Sequence, residues 1–389
     1  MERLDARIEC PVVTVGGTNG KGSTCAMLES IYRCAGFSTG LYASPHLVRY
    51  NERVRLRGEE ASDEALTAAF NAVEDARHEV PLTYFEFGTL AAFWLYARAR
   101  LDVLVLEVGL GGRLDAVNAV DADVAVLTSI GIDHVDYLGP TREDIGREKA
   151  GIFRADRPAI CGDRDPPAAV ESVARDVGAR LLVIGRDFDY ADERTQWRYR
   201  GPRGDRYGLP VPALRGRYQL GNAAIALTAI DLLRDRLPVS AQAVREGLLT
   251  VALAGRFEVL PGRPTVVLDV AHNPHAAHAL ADALGSMGFH PRTIAVCAML
   301  ADKDAAGVIG ALRPRIDLWY VAGLPGSRGG GPERVRDALH AAGIAPSDVR
   351  TFGDVGTAFR AARGIAGEAD RIVAFGSFLT VAAARAAAE

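Results

Sequence analysis

The sequence predicts an α/β protein of two domains, each built on a parallel sheet, with a phosphate-binding loop opening the first. Three observations carry this. Short β-branched apolar runs alternate with helical stretches along the 389 residues, the pattern of strands buried under helices on both faces. The first run, 12–15, leads at once into Gly17-Thr18-Asn19-Gly20-Lys21-Gly22-Ser23-Thr24 and a helical stretch. A segment bearing Gly and Pro, 255–264, separates an earlier strand–helix series from a later one.

Composition narrows the classes. At 49% hydrophobic residues the chain can bury a large core, and a net charge of −4 gives no reason to expect a nucleic-acid or membrane partner. Apolar runs are broken well short of a membrane span, and MERLDARIEC lacks an apolar signal core, so a cytoplasmic enzyme is expected. Cys10, Cys25, Cys34, Cys161 and Cys297 form no CxxC pair and read as reduced core residues.

Taken in order, the first strand and its glycine loop feed a helix with Ala26, Met27, Ile31 and Cys34 at helical spacing and Gly36 as its stop. Strand, glycines, lysine and hydroxyls at a helix N-terminus are the parts of a phosphate cradle, since backbone N–H groups and the helix dipole favour an anion there. The general P-loop pattern has Gly where Val15 stands and Ser or Thr where Gly22 stands. Tyr42-Ala43-Ser44-Pro45 closes the second strand. Strand 103–108 carries Glu107, strand 124–129 leads into GIDHVDYLG with Asp133 and His134, and strands follow at 158–161 and 180–184.

In a parallel sheet, ligands gather at the carboxyl ends of strands, so Glu107 shares a rim with the loop and suits Mg²⁺. Each residue also has a plainer reading. A serine before proline is usually a turn, a strand-end acid often a cap, a lone histidine often structural. Arg147-Glu148-Lys149 reads as a solvated helix end. Residues 187–218, polar and aromatic with Gly and Pro, read as an antiparallel excursion or an edge hairpin, followed by the helix LGNAAIALTAIDLL. The second series has strands at 265–270, 293–297, 318–321 and 371–375. Arg256 before it and Asp269 at the end of its first strand suit a nucleotide, though each alone is more often a salt bridge or a cap. The tail stretches AARGIAGEAD and VAAARAAAE read as helix.

GTNGKGST, SPHLVRYNERVR, TYFEFGTLAAF, LEVGLGGRLDAVN, GIDHVDYLG, REKAGIFR, AGRFE and DVAHNPHA, in this order, resemble the folylpolyglutamate synthase/dihydrofolate synthase family of the Mur ligase superfamily. The resemblance runs over nearly the whole chain from Pro11. It implies an N-terminal P-loop ATPase-type domain (1–254), a linker (255–264) and a smaller C-terminal Rossmann-like α/β glutamate-ligase domain (265–389), with the active site in the cleft between them. It implies a cytoplasmic monomer using ATP and two Mg²⁺ ions, with dihydropteroate, reduced folates and L-glutamate as substrates.

By motif, Gly17, Thr18, Asn19, Gly20, Lys21, Gly22 and Ser23 would hold the ATP phosphates, with Lys21 on the β/γ side. Ser44, Glu107 and His134 match metal-binding positions, and Lys149 matches a lysine that the family carries as a carbamate. Asn222, Arg256 and Asp269 match nucleotide contacts. Thr83, Tyr84, Phe85 and Glu86, with Leu114, Asp115 and Ala116, match pterin-binding segments.

The implied reaction is attack of a substrate carboxylate on the γ-phosphate, then displacement of phosphate by the glutamate amine. LGGRLDA resembles the form with both activities more than the form restricted to polyglutamylation. About ten residues precede the first strand, where the family implies a longer lead-in to the pterin pocket and peptidoglycan Mur ligases have a whole UDP-binding domain. A Mur-type amino-acid ligase and an ATPase without ligation are the alternatives.

Overall fold

A computed structural model describes residues 1–326 and 329–389. The chain divides into two compact units, Met1–Ala213 with Gln219–Ala252, and Leu214–Tyr218 with Leu253–Glu389.

The first unit carries strands β1 (Val12–Gly16), β2 (Thr39–Tyr42), β3 (Val54–Leu56), β4 (Glu59–Glu60), β5 (Val103–Glu107), β6 (Val124–Leu127), β7 (Pro158–Cys161) and β8 (Arg180–Val183) in one sheet of spatial order β4-β3-β2-β5-β1-β6-β7-β8. From β2 to β8 neighbouring strands run parallel, and β3 and β4 add an antiparallel hairpin at one edge. Strands β1, β2, β5 and β6 are buried along their whole length, which is why β1, β5 and β6 read as mainly apolar runs. The register pairs Val15 with Glu107, Gly16 with Leu127 and Tyr42 with Leu106, so four carboxyl ends finish level.

Helices α1 (Lys21–Cys34), α2 (Asp63–Arg77), α3 (Tyr84–Arg98), α4 (Val135–Leu138), α5 (Arg142–Ala150), α6 (Ala168–Val177), α7 (Gln219–Leu232) and α8 (Ala241–Thr250) accompany the sheet. α1 is buried far beyond one stripe because α7 and α8 both pack on it. Gly247 lets α8 come that close: a Cβ there would stand 2.6 Å from Ile31 Cα. The excursion expected over 187–218 is a three-stranded antiparallel sheet, β9 (Asp189–Asp192), β10 (Gln196–Gly201) and β11 (Gly204–Pro210), with β10 central. Trp197 and Tyr199 are fully buried and alternate with exposed Arg198 and Arg200, as a sheet with one wet face requires.

The second unit holds β12 (Glu258–Leu260), β13 (Thr265–Asp269), β14 (Thr293–Cys297), β15 (Leu318–Ala322), β16 (Val349–Phe352) and β17 (Arg371–Phe375), ordered β12-β13-β17-β14-β15-β16 and parallel except for β12. Its helices are α9 (Pro274–Ser286), α10 (Ala305–Leu312), α11 (Pro332–Ala341), α12 (Val355–Ile365) and α13 (Phe378–Ala388). Segment 255–264 lies within this unit and contributes β12. The tail corrects one expectation. AARGIAGEAD is helical only to Ile365; Gly367 then donates its N–H to Asp370 Oδ2 at 2.8 Å in a turn that starts β17. All five cysteines are free, and among the described residues no helix is long and apolar enough to cross a membrane.

Candidate active site

The loop between β1 and α1 is shaped by its neighbour β6 as much as by its own glycines. Gly17 sits at φ +136°, and a Cβ there would stand 2.0 Å from Thr128 Oγ1. Thr18 N–H donates to Ser129 O at 2.7 Å, and Asn19 N–H to Ser129 Oγ at 3.0 Å. Thr128 Oγ1 donates to Asn19 O at 2.6 Å, and Gly131 N–H donates to Thr18 Oγ1 at 3.0 Å. The 130s loop is held in turn: Ile130 N–H donates to Asp163 Oδ2, and Arg142 bridges that carboxylate to Ile130 O. None of these supports was evident in sequence, because Thr128, Ser129 and Asp163 belong to other motifs or to none.

At the far end of the loop Gly20 adopts φ +89°, and a Cβ there would meet Asn222 Oδ1 at 2.6 Å. Asn222 stands in the first turn of α7, where its Nδ2 donates to Gln219 Oε1 at 2.8 Å; Gln219 Nε2 donates to Ser23 Oγ at 3.2 Å. Gln219, Asn222 and Ser23 are all buried. Asn222 was expected here and Gln219 was not, for a buried glutamine at a helix start carries no periodic or motif signal.

Two lysines converge on the loop. Lys21 Nζ donates to Gly17 O at 3.0 Å and to Thr18 O at 3.3 Å, and Lys149 Nζ reaches the same Gly17 O at 3.1 Å. Lys149 lies in the last turn of α5, whose N-terminus Thr141 and Asp144 close in a capping box. The solvated helix end expected for 147–149 is overturned for Lys149, which is 5% exposed. Burial, and secondarily the Lys21 charge, push its pKa down to about 7, while Asp133 and Asp115 pull the other way.

Glu107, at the end of β5, is buried and accepts the Ser44 N–H on Oε2 at 3.1 Å. His134 adopts φ +52° at the start of α4 and donates its N–H to Asp133 Oδ1 at 2.9 Å. A buried carboxylate and a serine hydroxyl suit a small, hard divalent cation whose remaining positions go to phosphate oxygens and water, while the His134 imidazole is the less usual donor for such an ion. Among the described residues no three His, Cys, Asp or Glu side chains form a metal cluster. An ammonium at Lys149 is no ligand; a carbamate there is.

The segments matched to pterin binding lie in the same unit. Thr83 caps α3, with Thr83 N–H on Glu86 Oε2 at 2.7 Å and Glu86 N–H on Thr83 Oγ1 at 3.2 Å. Backbone and side-chain hydrogen bonds from Thr83 lower the Glu86 pKa. Tyr84 is exposed, Phe85 lies 6.0 Å from the Tyr42 ring, and Leu114 is 80% exposed. Asp115 is engaged in shaping its own loop, accepting Leu110 N–H at 2.8 Å and Val117 N–H at 3.0 Å, and Ala116 begins the short 3₁₀ turn that follows. Burial raises the Asp115 pKa.

In the second unit Asp269 ends β13 and accepts Phe257 N–H and Ala271 N–H, both at 2.8 Å. Burial raises its pKa against the attraction of Arg256, whose guanidinium lies 5.1 Å from the centre of the Phe378 ring.

Residues 15–230 match the Mur ligase middle domain and residues 255–378 the Mur ligase glutamate ligase domain. The chain is 47% identical over 371 residues to the dihydrofolate synthase/folylpolyglutamate synthase of Escherichia coli (strain K12), covering 95% of this chain and 85% of that protein. It is 42% identical to the Haemophilus influenzae enzyme of the same name, covering 98% and 90%. Among solved structures, Escherichia coli FolC in complex with DHPP and ADP superposes with a TM-score of 0.92 at 46% identity, covering 98% of this chain and 89% of that one. A bifunctional folylpolyglutamate synthase/dihydrofolate synthase with Mn, AMPPNP and L-glutamate bound gives 0.92 at 45%, covering 100% and 92%. The loop geometry, the two matched domains and these relatives agree, and the chain belongs to the dihydrofolate synthase/folylpolyglutamate synthase family of Mur ligases.

Proposed function

We propose that this chain is the ATP-dependent ligase that joins L-glutamate to dihydropteroate and adds further γ-linked glutamates to reduced folates. The observation that carries the reading is the phosphate loop, with buried Glu107 bonded to the Ser44 N–H at the neighbouring strand ends of the same sheet. Residues 17–23 hold the triphosphate, with Lys21 turning from the Gly17 carbonyl to the β/γ oxygens. Asn222, in α7, is the first unit's own nucleotide contact, and Arg256 and Asp269 are the residues of the second unit that the family motifs assign to nucleotide binding. Thr83, Tyr84, Phe85, Glu86, Leu114, Asp115 and Ala116 form the pterin-binding surface. Ser44, Glu107, His134 and carbamylated Lys149 hold the divalent cations, which when bound neutralise charge on the transferring phosphoryl group.

The substrate carboxylate attacks the γ-phosphorus, ADP leaves, and an acyl phosphate remains. The glutamate α-amine then attacks the acyl carbon, phosphate leaves, and the amide forms with loss of one proton. The barrier is electrostatic, one anion meeting another, so the Lys21 ammonium and the dipole of α1 do most of the protein's part. No side-chain nucleophile is needed. We read the enzyme as a cytoplasmic monomer of small-molecule substrates, so it should sediment as one chain.

The deciding measurement is phosphate release from ATP with Mg²⁺, with each substrate omitted in turn. Release that needs dihydropteroate and glutamate together is expected. Release with tetrahydrofolate and glutamate but none with dihydropteroate would leave polyglutamylation alone. Release indifferent to pterin and glutamate would overturn the ligase reading.

A further inference from the structure

Gln219 has no assigned part in the reaction, yet it joins two groups of the phosphate site. It is fully buried, so it cannot itself meet a nucleotide in solvent. Its amide is used at both ends: Nε2 donates to Ser23 Oγ at 3.2 Å and Oε1 accepts from Asn222 Nδ2 at 2.8 Å. The two bonds have a joint chemical consequence. A serine hydroxyl that accepts a hydrogen bond keeps its own proton for another partner, and an asparagine whose NH₂ is engaged turns its carbonyl oxygen the other way. Here that oxygen faces Gly20, 2.6 Å from where a Cβ would lie, at the loop's second left-handed glycine. One glutamine thus sets the Ser23 rotor and the Asn222 amide plane together.

We infer that Gln219 is a positioning residue for nucleotide binding, presenting the Ser23 hydroxyl proton toward the phosphates and locking Asn222 against Gly20. This rests on the reading of residues 17–23 as the ATP phosphate site. The roles demand this side chain: a glutamate would accept the Ser23 proton instead of leaving it free and would add a negative charge beside phosphate, while a methionine of similar size makes neither bond.

The test is a double-mutant cycle on the full-length enzyme, with ADP affinity by titration and the KM for ATP as readouts. Gln219→Met and Gln219→Glu should each raise the ADP dissociation constant and the ATP KM about ten-fold or more, with Glu the worse of the two, while the KM values for pterin and glutamate stay put. In a Ser23→Ala background, Gln219→Met should weaken ADP binding distinctly less than it does in the wild type. Equal ADP affinity in wild type and both folded variants would overturn the inference, as would full additivity with Ser23→Ala. If Gln219→Met does not fold, Gln219→Glu, which retains the Asn222 bond, decides alone. Failure of the wild-type enzyme to bind ADP would instead refute the phosphate-site reading beneath it.

Discussion

Two ammonium groups sharing the Gly17 carbonyl make the protonation of Lys149 the most sensitive quantity in the first unit. Folding lowers its pKa from the usual 10.5 to about 7. Between those values the unfolded chain holds a proton that the folded chain has released, so stability rises with pH across that window; below about 7 both states are charged and the burial penalty is complete. Lys149→Met should therefore melt above the unmodified, nucleotide-free wild type at pH 6, by an amount equivalent to about 3–5 kcal/mol at most, and the gap should close toward pH 10 in thermal unfolding. A gap independent of pH would mean that the lysine is not titrating there. The neutral amine is also the form that adds CO₂. Lys149→Ala should lose most activity, and Lys149→Glu, which restores an acid, should recover part of it in the phosphate-release assay. The motif REKAGIFR singled out Lys149 by resemblance, but its burial was not legible there, since by composition the helix end reads as solvated. Burial of a lysine is decided by what packs over α5, and that is not a local property of the sequence.

Elements were easier to read than the contacts between them. β1, β5, β6, β13, β14 and β17 show as apolar runs because both faces are covered, whereas β16, half-exposed and carrying Arg350 and Thr351, and the three-residue β12 offered no comparable signal. The loop was legible because its chemistry is local: glycines, a lysine and hydroxyls in eight residues. Its supports were not, since Thr128, Ser129 and Gln219 arrive from 100 to 200 positions away. The loop tolerates little change from those directions. Gly20→Ala forces a left-handed alanine, at about 1–2 kcal/mol, and a collision with Asn222 Oδ1. ADP affinity should fall at least ten-fold while far-UV circular dichroism is unchanged; unaltered affinity would mean that Asn222 can step aside.

At the scale of the whole chain, the Gly- and Pro-bearing stretch 255–264 lies inside the second unit, which begins its main run at Leu253, and Leu214–Tyr218 joins that unit with no signal in the sequence. Such an exchange of five residues leaves no compositional trace. The ordered motifs, each weak by itself, carried the functional reading because they lay in one sequence along both units. The clamp that β6 places on the loop has a consequence in time as well as in shape. The amides of Thr18 and Asn19 already donate to Ser129, so they are occupied before any nucleotide arrives. Their hydrogen exchange should be slow in the nucleotide-free enzyme and change little on adding ADP, while the amides of Gly22 and Ser23, in the first turn of α1, where a helix leaves N–H groups without internal partners, should slow sharply. The first half of the loop would then behave as fixed scaffold, and only its second half would register the ligand.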